Sequence, residues 1–174
     1  MWTTWANLLT LIRLLVAVPC ALAVWEAQWF LAAMLLTLAI ATDLLDGPVA
    51  RRFKHETPLG GLLDHATDAV FIALLLAALA TIGLITPLLP ILVIAAFLQY
   101  TLDSAALRGR RLRSNRLGRG NGIAYFVVGS IPVYANALGL NGPLQTVTAV
   151  LAWALVLTTL VSMAERLWVW LGTR

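Results

Sequence analysis

A chain of 174 residues has room for one domain, and residues 1–174 are expected to form one. It is 61% hydrophobic and 11% charged with a mean hydropathy of +0.89, against about 45–50% and about 25% in soluble domains; a soluble fold of this size cannot hide so much apolar surface, so an integral membrane protein is expected. The single cysteine, Cys20, excludes an internal disulfide, no Cys/His spacing suits zinc, and the net charge of +4 reads as the arginine excess of cytoplasmic loops rather than as a nucleic-acid surface.

The N-terminus lacks a basic segment before Arg13 and a small-residue cleavage site, so it reads as part of the first span rather than as a signal peptide. Spans are predicted at 6–24 and 28–46, parted by the polar joint Glu26–Ala27–Gln28. Between Asp68 and Asp103 lie 34 uncharged residues, and between Arg119 and Glu165 lie 45. One span needs about 20 residues, so each stretch is expected to hold two helices and a turn. The turn signals sit at Thr81–Pro90, around Gly83, Pro87 and Pro90, and at Asn136–Pro143, around Gly139, Asn141 and Gly142. The fold class is therefore an all-α integral membrane protein with six transmembrane helices. Arg51, Arg52 and Lys54 fall between spans two and three, and six arginines from Arg108 to Arg119 fall between spans four and five. The opposite turns carry no basic residue, which places both termini and both basic loops in the cytoplasm. Trp25 and Trp29 would mark one membrane interface, and Trp2, Trp5, Trp168 and Trp170 the other.

Asp43, Asp46, Asp64 and Asp68 lie at the cytoplasmic ends of spans two and three. A carboxylate at a membrane span is costly, by about 2.5–3.5 kcal/mol at the helix centre. Spacings of three and four put each pair on one helical face, and the two helices run antiparallel as neighbours, so four acidic groups converge at one depth. A lone acidic residue at a helix end is ordinarily an interfacial or capping residue; four at helical spacing are not. Hard carboxylate oxygens suit two divalent cations, Mg2+ or Mn2+, and a two-ion site is a device for phosphoryl transfer. Arg51 offers a planar cationic fork for phosphate oxygens, and Gly47, Ala50 and Gly60 lack the bulk that would keep a ring or a diphosphate from the backbone.

Read in order, these residues form the pattern D-x2-D-G-x2-A-R-x8-G-x3-D-x3-D from Asp43 to Asp68. This resembles the complete signature of the CDP-alcohol phosphotransferase family. All eight specified positions match, and with residue frequencies of about 5–8% chance agreement at a given start is on the order of 10⁻¹⁰. The opening WANLLTLIRLL is similar to the family's N-L-L-T-x-x-R, at Asn7, Thr10 and Arg13. The resemblance implies that Asp43, Asp46 and Asp64 hold the metal pair, and that Asp68 completes the metal site and acts as general base on the acceptor hydroxyl. Gly47, Ala50, Arg51 and Gly60, with Asn7 and Thr10, would bind the cytidine diphosphate part of the donor. It further implies a phospholipid-synthesis enzyme that transfers a substituted phosphate to an alcohol and releases CMP. The expected donor is CDP-diacylglycerol, the partners are a small alcohol acceptor and membrane lipids, and a homodimer sits in the bacterial inner membrane with its site facing the cytoplasm.

The acceptor is less legible. Phosphatidylglycerophosphate and cardiolipin synthases of the family continue as L-D-P-x-A-D-K, whereas Leu63 and Asp64 are followed here by His65, Ala66, Thr67, Asp68 and Ala69, which counts against their acceptors. The run Pro58–Ala69 is closer to the P-L-G-x-x-x-D-H-G-C-D of choline and ethanolamine phosphotransferases, so a CDP-amino-alcohol:diacylglycerol phosphotransferase is the alternative. His65 either tunes Asp68, touches the acceptor or caps polar loop groups. The Arg108–Arg119 loop either binds an anionic acceptor or headgroup or only sets topology. Asp103, and Glu165 with Arg166, either shape the acceptor pocket or only pair with nearby arginines. A divalent-cation or proton transporter is the non-enzyme alternative; the nearly apolar outer halves of the spans and the required places of Arg51 and Gly60 speak against it.

Overall fold

The computed structural model describes residues 5–53, 58–103, 116–140 and 142–172; within them the side chains at 5–9, 45–53, 58–59, 103, 170 and 172 lie outside the description. Every regular element among the described residues is an α-helix: α1 Trp5–Trp25, α2 Trp29–Phe53, α3 Pro58–Thr81, α4 Leu88–Asp103, α5 Arg116–Ala137 and α6 Pro143–Gly172. The helix breaks fall where the turn residues predict them. Helix α2 runs on past the end of its expected span at residue 46, through Gly47 and Pro48 to Phe53. The change from apolar to charged sequence marks the edge of a bilayer, whereas a helix ends where its backbone loses partners.

The three turns without basic residues share one cap. After α1, Gln28 N–H donates to the Ala23 carbonyl (2.7 Å) and Ala27 N–H to Val24 (3.1 Å). After α3, Leu84 donates to Leu79 and Gly83 to Ala80, both at 3.0 Å; after α5, Leu140 donates to Ala135 (2.7 Å) and Gly139 to Asn136 (3.1 Å). These are Schellman closures, which need a left-handed residue at the turn. Gly83 (φ 79°) and Gly139 (φ 69°) supply it without strain, while Ala27 (φ 57°) adopts it with a Cβ.

The six helices close a ring. α1 packs on α2 and α3, α2 on α5, α5 on α6, α6 on α4 and α4 on α3, with α3 and α5 touching across the middle. That crossing is close because Gly129 has no side chain: a Cβ there would stand 3.2 Å from both Ile72 Cδ1 and Leu75 Cδ2. Phe71 and Phe126 stack beside it, their ring centroids 6.1 Å apart. Leu36, Leu75, Leu76, Leu79 and Val133 are fully buried around this line.

Polarity is inverted relative to a soluble bundle. Thr10, Arg13, Thr42, Asn121, Thr159 and Ser162 are buried, while Phe30, Ile91, Val150 and Leu157 are more than half exposed. An apolar exterior on apolar helices is the surface of a membrane protein. Gly60–Thr81 and Pro143–Val169 are each long and apolar enough to cross a bilayer, and Thr10–Trp25, Trp29–Leu44 and Leu88–Leu102 are shorter apolar helices. Inward hydroxyls are satisfied within their own helices: Thr42 donates to the Ala39 carbonyl (2.8 Å), Thr101 to Phe97 (2.9 Å) and Thr148 to Leu144 (2.7 Å).

Candidate functional site

Asp43 on α2 and Asp64 and Asp68 on α3 come together at one end of the ring. Carboxylate oxygens of the three lie within 4.8 Å of one another. The i, i+4 spacing of Asp64 and Asp68 stacks them on the face of α3 that meets α1, and the α1–α2 packing brings Asp43 alongside. The three side chains are 43%, 30% and 25% exposed respectively, so the cluster is open at its mouth and closed behind.

Arg13 closes the back. Its side chain is fully buried on α1; Nη1 donates to Asp64 Oδ1 at 3.0 Å and to Asp68 Oδ1, and Nη2 lies 3.3 Å from Asp43 Oδ1. One planar guanidinium thus ties three helices through three carboxylates, as its fork of fixed donors allows. Three carboxylates against one guanidinium leave a formal charge of −2 on oxygens alone. Hard oxygen donors at this spacing with residual negative charge fit a divalent cation.

Of the remaining expected site residues, Thr10 is buried on α1 one turn before Arg13, and Gly60 is half-buried on α3 one turn before Asp64. Asp46, Gly47, Ala50 and Arg51 lie on the last turns of α2, and Asn7 on the first turn of α1; their side chains are outside the described residues. Most of the Arg108–Arg119 loop and the Asp103 side chain are likewise outside them. Arg13 is the residue that the sequence reading left out of the site. The signal was present, since it is the only charged residue before Glu26, and an ionisable side chain in a membrane span has a partner by default.

The acidic cluster heads a cavity of about 1280 Å³. Asp43 and Asp68 stand at one end, Ile72, Phe97 and Phe126 line its length, and Leu138 and Leu144 at the α5–α6 turn close the other. A polar fringe of His65, Tyr100, Arg119 and Arg166 surrounds the acidic end. Sites for drug-sized ligands run to about 300–1,000 Å³; this one is larger, polar at its head and apolar along its length, which suits an amphiphile with a charged headgroup and long chains.

Three relatives place this arrangement among known proteins. Each carries the name CDP-diacylglycerol–glycerol-3-phosphate 3-phosphatidyltransferase. The one from Blochmanniella floridana is 38% identical over 68 residues, covering 37% of this chain and 35% of its own. The one from Pseudomonas fluorescens is 37% identical over 76 residues (42% and 39%), and the one from Cereibacter sphaeroides 38% identical over 76 (40% and 34%). The chain thus spans little more than a third of the length of these relatives. The family model described as CDP-alcohol phosphatidyltransferase matches residues 3–172, nearly the whole chain and the site with it, so the chain belongs to the CDP-alcohol phosphatidyltransferase family.

Proposed function

We propose that this chain transfers the phosphatidyl group of CDP-diacylglycerol to the hydroxyl of glycerol 3-phosphate, with release of CMP. The observation that carries the reading is the convergence of Asp43, Asp64 and Asp68 at the head of a long apolar cavity. The names of the relatives favour glycerol 3-phosphate, although the residues after Asp64 depart from the pattern expected for that acceptor. Arg119 and Arg166 on the cavity wall offer planar donors suited to its phosphate.

Asp43, Asp46, Asp64 and Asp68 are assigned to a pair of divalent cations. When bound, such ions neutralise the oxygens of the transferred group and stabilise the entering and leaving oxygens. Arg13 holds Asp64 and Asp68 in register from behind, leaving their outer faces to the mouth. Asp68, the least exposed of the three, takes the proton from the acceptor hydroxyl; that oxygen bonds to the phosphorus bearing diacylglycerol, and the bond to the CMP oxygen breaks. Arg51, Gly47, Ala50, Gly60, Asn7 and Thr10 are assigned to the cytidine diphosphate part, and the acyl chains lie along the cavity. Six spans with cytoplasmic termini, in the bacterial inner membrane, put this head where a water-soluble nucleotide and a lipid meet, and the working form is taken to be a homodimer.

The test is CMP release by the purified protein with CDP-diacylglycerol, glycerol 3-phosphate and Mg2+. Release that EDTA abolishes and Mg2+ restores supports the reading. Release only with serine, inositol phosphate or another alcohol changes the acceptor. No release with any of these, nor with CDP-choline and diacylglycerol, refutes the transferase.

A further inference from the structure

His65 and Tyr100 have no part in the reaction as assigned above, yet they form a built junction at the cavity mouth. The imidazole of His65 on α3 lies nearly parallel to the Tyr100 ring on α4, at 6.1 Å between centroids and 15° between planes. The Arg166 guanidinium on α6 stands 4.7 Å from the centre of the same Tyr100 ring. Beside this stack, Gln99 Nε2 donates to the Met163 carbonyl at 2.9 Å, one turn before Arg166, so α4 and α6 are joined at two consecutive points. His65 follows Asp64 directly, with Nδ1 3.9 Å from Asp64 Oδ2. All three stacked side chains line the cavity that Asp68 heads.

Burial does not explain the stack, because the His65 side chain is 50% exposed. Its geometric effect is on the arginine. A guanidinium is drawn to the face of an aromatic ring, and a long side chain held in one place loses less rotamer freedom when a ligand arrives. The stacked imidazole in turn restrains the Tyr100 ring and links it to the turn of α3 that carries Asp64 and Asp68. We propose that His65 and Tyr100 are positioning residues: their stack holds Arg166 at a set distance from Asp68, so that an acceptor carrying a phosphate monoester is met with its hydroxyl towards Asp68. This inference rests on the phosphate-bearing acceptor of the proposed function.

The experiment is steady-state kinetics of the purified full-length protein with CDP-diacylglycerol, glycerol 3-phosphate and Mg2+, for Tyr100→Ala, Tyr100→Phe, Tyr100→Leu and His65→Ala. Loss of one cation–π contact corresponds to a rise of about two- to thirty-fold in the KM for glycerol 3-phosphate. That rise is expected in Tyr100→Ala, Tyr100→Leu and His65→Ala, with the KM for CDP-diacylglycerol unchanged and kcat at saturating acceptor retained. Tyr100→Phe keeps the ring face and should stay far closer to the wild-type acceptor KM than Tyr100→Leu does. Tyr100→Leu fills the space without a π face, so it decides the matter even where Tyr100→Ala does not survive purification. An unchanged acceptor KM in Tyr100→Leu, a Tyr100→Phe as impaired as Tyr100→Ala, or equal rises in both KM values would overturn the positioning role. A wild type that releases no CMP with glycerol 3-phosphate refutes the acceptor and this role together; an active wild type beside unaffected variants refutes the stack alone.

Discussion

Arg13 carries a positive charge into the interior of the bundle, and three carboxylates from two other helices surround it. Removing one partner from a buried ionic group costs about 3–5 kcal/mol. Arg13→Ala should fall at the low end, because the carboxylates reach the cavity mouth and can recruit cations from it. We expect a lower melting temperature in detergent, loss of turnover, and a larger stabilisation by added Mg2+ than in wild type. Arg13→Lys keeps the charge but not the fork, so it should recover part of the stability and little of the activity. An Arg13→Ala protein as stable and active as wild type would show that the three contacts are incidental. Asp68→Asn is the complementary change: the amide still accepts from Arg13 but takes up no proton. Turnover should vanish while the melting temperature holds, and retained turnover would remove Asp68 as the base. At this scale the carboxylates were legible because spacings of three and four fix a shared face within one helix. Which side chain of α1 they meet was not, since Arg13 and Asp68 are 55 residues apart and only packing decides the face of α1 that turns inward.

The helices follow a simple grammar of breaks. Gly83 and Gly139 could be found as turn glycines in the sequence, and their left-handed φ angles explain why glycine stands there. Ala27 occupies the equivalent place in the first turn with a Cβ, and nothing in its local sequence marks it as left-handed. A left-handed residue with a Cβ costs roughly 1–2 kcal/mol, part of which glycine returns through the unfolded chain. Ala27→Gly should therefore stabilise the protein by about 0.5–1 kcal/mol, read as a higher melting temperature with unchanged activity; a lower one would mean the cap is not formed. The α3–α5 crossing answers to volume in the opposite sense. At Gly129 a methyl group meets the flexible ends of Ile72 and Leu75 at 3.2 Å, so Gly129→Ala should be tolerated at small cost. Gly129→Leu has nowhere to go and should lose about 1–3 kcal/mol or more by overpacking. Equal melting temperatures for the two variants would show that the crossing is looser than described. Helix α2 outruns its expected span because hydropathy reports where the bilayer stops, and only backbone pairing reports where a helix does.

For the whole molecule, the sign of the surface is the decisive property. Apolar side chains face outward along every helix, Thr10, Arg13, Thr42, Thr67, Thr101 and Asn121 are buried towards the end where Asp43, Asp64 and Asp68 meet, and the cavity joins that end to the α5–α6 turn. The exposed Trp25 at one end and Trp168 at the other agree with the two membrane interfaces expected from the sequence. A bundle of this polarity has an inside and an outside, and the arginines predict which is which. Cys20 makes the prediction easy to check, because it is fully buried, with its thiol directed to the Ala32 carbonyl, and should not react with a polar maleimide. Single cysteines can therefore be introduced into the natural chain. Gln28→Cys and Leu140→Cys, both exposed in turns without basic residues, should label in intact cells with a membrane-impermeant maleimide. Arg116→Cys, exposed at the head of α5 beside the basic loop, should label only after the membrane is opened. The reverse pattern would turn the aspartate cluster away from the cytoplasm and from the nucleotide-linked donor, and the transferase reading would fail with it. Labelling of all three from outside would mean that the helices do not cross as six spans, and that the apolar exterior is covered by something other than lipid.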